Sequence, residues 1–111
     1  MISLIVPCYN EQESLPIFYD EVTKVVRNMG VEYELLLVND GSKDKTLEIM
    51  RELSAKDEHV KYHSFSRNFG KEAAMYAGFC NAKGDYVAVM DADMQDPPSL
   101  LPQMLKILES G

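Results

Sequence analysis

Apolar residues occur along this chain in two kinds of pattern. Four short segments are rich in apolar residues and end at polar or turn-forming residues; they span residues 2–6, 33–38, 60–65 and 86–90. Segments of this kind are typical of strands that are buried on both faces of a parallel sheet. The pattern therefore predicts four strands.

Between and after these segments, apolar residues recur every three or four positions, which predicts amphipathic helices. Ser14 and Asp44 are candidate caps for the first two helices, and Gly30 follows the first helix. The predicted helices span residues 15–29, 44–55, 72–82 and a last stretch from 101. Because strands and helices alternate, we predict one α/β domain over residues 1–111, with a mostly parallel sheet flanked by helices.

Polar segments follow each predicted strand. They span residues 7–11, 39–42, 66–71 and 91–96 and contain many carboxylates. Right-handed crossovers bring the carboxyl ends of parallel strands to one edge of the sheet, where ligands bind in open α/β folds. We therefore expect the functional site at this edge.

Composition narrows the classes of partner and compartment. Eleven Lys and Arg residues against eighteen Asp and Glu residues give a net charge of −7, which argues against nucleic acid as a partner. Two distant cysteines indicate neither a disulfide framework nor a zinc site, so a reducing compartment fits best. No apolar run approaches the roughly 20 residues that span a bilayer, and no signal peptide is visible. The sequence thus predicts a soluble, cytoplasmic chain.

Two aspartates after the fourth predicted strand form a D-x-D pattern. Asp91 and Asp93 are separated by one residue, so in an extended backbone both carboxylates lie on the same side, and Gln95 shares that side. Oxygen donors of this kind suit Mg²⁺ or Mn²⁺, which often complete their coordination with substrate phosphates. The alternative is an ordinary acidic turn ahead of Pro97 and Pro98.

The other strand ends offer contacts to a nucleotide. Asp40 could accept hydrogen bonds from a base or a ribose hydroxyl, or it could form a turn with its own backbone. Tyr9 offers an aromatic face and Glu11 an acceptor. Arg67 and Lys71 are the cations of the third loop, and they either offset the charge of a diphosphate or are simply solvated.

Glycine-rich phosphate loops are missing from the sequence. The first loop, residues 7–13, contains no glycine, and the pattern G-x-x-x-x-G-K-[ST] does not occur. Dinucleotide and P-loop sites are therefore excluded, and phosphates would have to be held by a metal or by side chains. This favours the metal interpretation of Asp91 and Asp93.

Four segments carry a family resemblance through their order and spacing: IVPCYNEQESL, LLVNDGSKDKT, SRNFGKEAAMYAG and VMDADMQDPPSLL. Together they resemble the nucleotide-binding half of family 2 glycosyltransferases, which have the Rossmann-like GT-A fold, and the match covers essentially the whole chain. The last two segments are most similar to polyprenyl-phosphate glycosyltransferases, meaning bactoprenol glucosyltransferases and dolichyl-phosphate mannose synthases. The Phe-Gly-Lys-Glu-Ala-Ala version points to the bactoprenol branch.

The resemblance implies roles for the matching residues. Those of the first two segments would line the nucleoside pocket: Pro7, Tyr9, Glu11, Val38 and Asp40. Asp91 and Ala92 would contact the ribose and the diphosphate, with Arg67 and Lys71 nearby. Asp93 and Gln95, beside Asp91, would bind the metal that bridges the two phosphates. Asp93 would thus act in catalysis through that metal.

The resemblance also implies a reaction. A nucleotide-diphosphate sugar, with a UDP-sugar favoured and GDP-mannose as the second candidate, would donate its sugar with inversion at the anomeric carbon. The acceptor would be a polyprenyl phosphate or a glycan. In this family the acceptor half, any catalytic base and the membrane segments follow the D-x-D segment. We therefore expect this chain to bind donor and metal with little transfer. We also expect a longer parent that is membrane-associated, with its catalytic domain on the cytoplasmic side.

Two other classes of protein share some of these features. A non-catalytic nucleotide-sugar-binding or interaction module would use the same pocket without chemistry. A phosphoacceptor receiver domain also has acidic strand ends, but it needs an acidic pair after the first strand, where this chain has Pro7-Cys8-Tyr9-Asn10. If the sheet is cut short where an acceptor half would pack, the exposed edge or apolar patch could support a homodimer.

Overall fold

The computed structural model describes residues 1–92, which form a four-stranded parallel sheet with helices between the strands. The predicted α/β fold is confirmed over this range. The elements are β1 (Ile2–Cys8), α1 (Ser14–Met29), β2 (Tyr33–Asn39), α2 (Thr46–Lys56), β3 (Val60–Ser64), α3 (Lys71–Asn81) and β4 (Tyr86–Val89). Asp93, Gln95 and the predicted last helix lie outside the described residues.

The strand order is β3-β2-β1-β4, and every pair of neighbouring strands is parallel. This order matches the first four strands of a Rossmann-type sheet, in which the connection reverses direction beside β1. Receiver domains have the flavodoxin-like order 2-1-3-4-5, so the receiver alternative is wrong. Ligands bind at the point where the strand order reverses, which here lies between β1 and β4.

The core lies on both faces of the two central strands. One face of β1 and β2 packs with apolar residues of α1 and α2, among them Phe18 and Met50, in a single buried cluster. On the other face, α3 crosses β1 so closely that a Cβ at Gly78 would lie 2.4 Å from Cγ2 of Ile5. The small residues of α3 therefore permit the close packing of helix against sheet.

The ends of the first two helices differ from the prediction in detail. Ser14 is the first residue of α1 rather than the residue before it; the N-cap position is Glu13, whose side chain makes no capping bond. The Ser14 hydroxyl donates to the Glu11 carboxylate instead. Gly30 ends α1 in the left-handed region, at φ +67°, as its position predicted.

Asp44 contacts the start of α2 from one residue further out than a standard cap. The residue directly before α2 is Lys45, which makes no capping bond, while the Asp44 carboxylate accepts the Thr46 N–H at 3.0 Å. The predicted interaction of Asp44 with the helix end is thus present, although through an Asx-type turn. The other carboxylate oxygen of Asp44 accepts the Gln12 N–H from the loop after β1.

Candidate functional site

A cavity of about 230 Å³ lies at the carboxyl edge of the sheet, where sequence analysis placed the functional site. The ends of β1 and β2, the start of α3 and the segment after β4 converge on it. Its lining consists of Pro7, Cys8, Tyr9, Glu11, Asp40, Lys71 and Asp91. All of these except Cys8 are predicted site residues, so the topology brings residues from four separate segments to one place.

Three other predicted residues lie near the cavity without lining it. Val38 and Ala92 are buried, and Val38 pairs with Pro7 in the sheet. The guanidinium of Arg67 lies over the ring of Phe69, 4.8 Å from its centroid. The ligand contacts expected of these three residues stay predictions, as do those of the lining residues and of Asp93 and Gln95.

Asp40 anchors the loop that precedes α3. Its side chain is buried, and its carboxylate oxygens accept the Phe69 N–H at 2.8 Å and the Gly70 N–H at 3.1 Å. One alternative for Asp40 was a turn with its own backbone. Its carboxylate bonds instead to a loop about 30 residues further along the chain. Asp40 is also one of the residues that line the cavity.

Gly41 allows the same loop to approach the end of β2. At φ +71° it adopts a conformation that favours glycine, and a Cβ there would lie 2.2 Å from the Arg67 carbonyl carbon and 2.3 Å from the Asn68 nitrogen. Only a residue without a side chain fits. Asp40 and Gly41 together therefore hold residues 67–70 against the sheet edge.

The loops after β1 and β2 are joined by hydrogen bonds between side chains and backbone. Asn10, at φ +53°, donates its N–H to Ser42 Oγ at 2.9 Å and accepts the Lys43 N–H at 2.9 Å. The Glu11 N–H bonds to Thr46 Oγ1 at 2.8 Å. These bonds fix the backbone at Asn10 and Glu11, directly after Tyr9.

Gln12 adds two further bonds between the loops after β1 and β2. The Gln12 N–H bonds to Asp44 at 3.2 Å, and Gln12 accepts the Lys45 N–H at 3.1 Å. Sequence reasoning missed this supporting role of Asn10, Gln12 and Ser42. The signal available was the clustering of short polar side chains in two loops that the topology makes neighbours.

Lys71 and Asp91 form an ion pair across the cavity. Lys71 is the first residue of α3, and its Nζ lies 2.8 Å from Oδ1 of Asp91. The lining carries three carboxylates, from Glu11, Asp40 and Asp91, against the one ammonium of Lys71. The cavity is therefore acidic overall and suited to a cation or to hydrogen-bond donors of a ligand.

Tyr9 and Cys8, which also line the cavity, differ in exposure and in chemical reactivity. Tyr9 is 42% exposed, which leaves its ring available for stacking. Burial, together with the nearby carboxylates of Glu11 and Asp91, raises the pKa of the Cys8 thiol well above its ordinary value. Cys8 therefore stays protonated, and it fills space rather than acting as a nucleophile.

Within residues 1–92, no cluster of three or more His, Cys, Asp or Glu side chains is arranged to hold a metal ion. Asp91 is the only one of the three predicted ligands in this range, and its side chain is 25% exposed. Among the described helices, none is both long and apolar enough to cross a membrane.

Comparison of the sequence with models of protein families identifies the family of this α/β chain. The model of the family described as "Glycosyl transferase family 2" matches residues 3–111. The chain belongs to this family.

Two curated relatives match over nearly the whole chain. The "Prophage bactoprenol glucosyl transferase homolog" of Escherichia coli is 43% identical over 110 residues, covering 99% of this chain and 36% of the relative. The "Undecaprenyl-phosphate 4-deoxy-4-formamido-L-arabinose transferase" of Photorhabdus laumondii is 39% identical over 111 residues, covering 99% and 34%. The chain thus spans about a third of the length of these relatives.

Solved structures share the fold. Glucosyl-3-phosphoglycerate synthase from Mycobacterium tuberculosis, solved with UDP, superposes with a TM-score of 0.77 at 25% identity, over 100% of this chain and 40% of that one. A mannosyltransferase from Pyrobaculum calidifontis, solved with GDP-Man and Mn²⁺, gives 0.81 at 23% identity, over 96% and 32%. The predicted GT-A type of fold is confirmed.

Proposed function

We propose that residues 1–111 form the nucleotide-sugar-binding part of an inverting glycosyltransferase domain. The observation that carries this proposal is the cavity at the carboxyl edge of the sheet, lined by residues that the four sequence segments pointed to. Membership of glycosyl transferase family 2 supports the same class of reaction. The donor is a nucleotide-diphosphate sugar, with a UDP-sugar favoured over GDP-mannose.

Different side chains of the cavity contact different parts of the donor. Tyr9 stacks on the base, while Glu11 and Asp40 accept hydrogen bonds from the base or the ribose. Asp40 keeps this capacity because each carboxylate oxygen has two lone pairs, and the bonds to Phe69 and Gly70 use only one on each. Lys71 offsets the charge of the diphosphate.

One of the proposed ligands for a divalent Mg²⁺ or Mn²⁺ ion, Asp91, lies among the described residues. Asp91 provides a hard oxygen donor that is partly exposed in an acidic cavity. Asp91, Asp93 and Gln95 would hold the ion, which when bound stabilises the negative charge that develops on the departing nucleoside diphosphate. In this chain, Asp93 acts in catalysis only through that ion.

The acceptor is a polyprenyl phosphate, or failing that a glycan. Relatives named for bactoprenol and undecaprenyl phosphate support this choice, and they are about three times as long as this chain. A phosphomonoester has a second pKa near 6, so it is largely an oxyanion at neutral pH and needs little help from a base. We propose that the acceptor site lies in a longer, membrane-associated protein whose catalytic domain faces the cytoplasm.

Calorimetric titration of UDP, UDP-glucose and GDP, each with and without Mn²⁺, tests the proposal. We expect metal-dependent binding of UDP and UDP-glucose, lost in Asp93→Ala and kept in Asp20→Ala, a control that removes an exposed carboxylate from α1. A preference for GDP would favour mannosyl transfer instead. If the folded chain binds none of these nucleotides, the proposal is contradicted.

A further inference from the structure

Asn10 lies between two residues of the cavity lining and has an unusual backbone conformation. Its φ is +53°, and among residues 1–92 it is the one residue other than glycine with a positive φ. Asparagine tolerates this left-handed conformation better than most residues with a side chain. Tyr9 precedes it and Glu11 follows it, and both line the cavity. The turn at Asn10 therefore sets the placement of these two residues relative to each other.

Two hydrogen bonds hold Asn10 to the loop after β2. Its N–H donates to Ser42 Oγ at 2.9 Å, and its Oδ1 accepts the Lys43 N–H at 2.9 Å. One bond uses the backbone of Asn10 and the other uses its side chain, so together they fix both the position and the orientation of the residue. The left-handed turn is thus stabilised by contacts remote in sequence.

The loop that receives these bonds is itself tied to the sheet. The Ser42 N–H donates to Oδ1 of Asn39 at 3.0 Å, and Nδ2 of Asn39 donates to Ser64 Oγ at 3.0 Å. Asn39 ends β2 and is only 2% exposed. A continuous path of hydrogen bonds therefore runs from the end of β3, through the end of β2, to Asn10.

The residues that flank this turn have anchors of their own. The Cys8 carbonyl accepts the Asp40 N–H at 2.9 Å, and the Glu11 N–H donates to Thr46 Oγ1 at 2.8 Å. Asn10 itself is exposed. Replacing it should therefore change the geometry of the turn without detaching the loop or opening the core.

Resting on the proposed function, we infer that Asn10 is a positioning residue for the nucleoside. It acts on the nucleotide through its neighbours, by holding the Tyr9 ring and the Glu11 carboxylate in fixed places against the base. A binding site must hold its contacting groups to within about 0.5 Å, and discrimination between two ligands depends on the difference in how well each fits them. Asn10 therefore determines how strongly the site distinguishes one base from another.

Calorimetric titration of UDP and of GDP, each with Mn²⁺, tests this role in two variants. Asn10→Gly adopts the left-handed conformation freely and keeps the N–H to Ser42, but it offers no acceptor to Lys43. The preferred nucleotide should bind about fivefold more weakly, as expected for one lost hydrogen bond. The other nucleotide should change less, so the ratio of the two affinities moves toward one. Asn10→Asp keeps the acceptor and should keep the wild-type ratio.

The ratio separates positioning from a merely structural role. If a variant were only partly folded, the apparent affinities for both nucleotides would fall by the same factor, the folded fraction, and their ratio would not change. Asn28→Gly is the matched control, because it makes the same substitution at an exposed position near the far end of α1. It should keep the wild-type ratio.

Three results would overturn the inference while the proposed function stands. The first is an unchanged ratio in Asn10→Gly, and the second is a wild type that binds UDP and GDP equally. The third is an Asn10→Asp variant that loses the ratio as fully as Asn10→Gly, since the acceptor at this position would then have no effect. If the wild type binds neither nucleotide, both the inference and the proposed function are overturned.

Discussion

Asp40 is a single residue that serves both the fold and the site. Its carboxylate is 4% exposed and accepts one N–H from each of two consecutive residues of the loop before α3. Hydrogen bonds to a charged acceptor contribute about 1.5–3 kcal/mol, more than those between neutral groups. One side chain directly after β2 thus anchors the two residues that precede α3.

Replacing Asp40 by asparagine should lower the free energy of unfolding by about 1–3 kcal/mol, because the amide NH₂ would face one of the two N–H groups and leave it unpaired. Urea denaturation followed by circular dichroism measures this change. UDP affinity should fall in the same variant. Asp20→Asn, at an exposed position of α1, is the control; equal stabilities of the two variants would contradict the anchoring role.

Glu34 is a buried carboxylate far from the cavity. Burial alone would raise its pKa, but hydrogen bonds from the Ser3 hydroxyl, the Lys83 N–H and the Lys61 ammonium outweigh that effect and hold the pKa below its ordinary value of 4.5. These bonds tie β2 to β1, to β3 and to the turn before β4. The ionised form is therefore the one that the folded protein favours.

The pH dependence of stability follows from this shift. A lowered folded-state pKa means that the contribution of Glu34 is fully present above pH 4.5 and is lost as the pH falls through the lower folded value. Urea denaturation between pH 3 and 7 should therefore show a smaller loss of stability on acidification in Glu34→Gln than in the wild type. Glu52→Gln, exposed on α2, should keep the wild-type slope.

At the scale of elements, the site depends on three loops that hold one another. The loop after β1 is bonded to the loop after β2 through Asn10, Gln12 and their partners. The loop before α3 is held in turn by Asp40 and by its close approach to Gly41. Strands and helices fix the ends of these loops, whereas the contacts between the loops fix the shape of the cavity.

Gly30 and Gly41 have nearly the same backbone conformation but different surroundings. Replacing each of them therefore distinguishes the effect of backbone strain from that of loop displacement. Gly30 (φ +67°) has open space around its missing side chain, whereas at Gly41 (φ +71°) a Cβ would lie 2.2 Å from the Arg67 backbone. Alanine at either position should cost about 1–2 kcal/mol of left-handed strain. Only Gly41→Ala should also weaken UDP binding, measured by calorimetry, because it displaces residues 67–70. Equal UDP affinities in the two variants would contradict this role of Gly41.

At the scale of the whole molecule, the described residues form a sheet with two outer strands, β3 and β4. Each presents one side without a strand partner among residues 1–92, and such edges can pair with further chain or with a second copy. A homodimer stays a prediction. The chain also spans only about a third of the length of its relatives.

We expect the 111-residue chain to bind UDP-glucose without transferring glucose. Incubation with radiolabelled UDP-glucose and vesicles containing undecaprenyl phosphate should give no labelled lipid, while calorimetry on the same sample detects donor binding. A longer protein that carries this sequence is the positive control and should form the product. Labelled lipid from the short chain would show that these residues already include an acceptor site.

The sequence by itself determined the element order, the parallel sheet and the edge that carries the cavity. These follow from local information: periodicity of apolar residues sets strand and helix, and right-handed crossovers then align the strand ends. The same rules were enough to name most of the cavity lining, including Tyr9, Glu11, Asp40 and Asp91. Helix caps were less accurate, as at Ser14, because a shift of one residue changes which side chain can reach the helix end.

Only the tertiary structure decided which groups these side chains contact. From the sequence, Asp40 could equally have bonded to its own turn. Its bonds to Phe69 and Gly70 form because two loops lie close together, and Gly41 permits that approach. The pairing of Lys71 with Asp91 likewise joins residues on α3 and after β4. Such contacts depend on ångström-scale distances between loops remote in sequence. Periodicity along the chain carries no information about those distances.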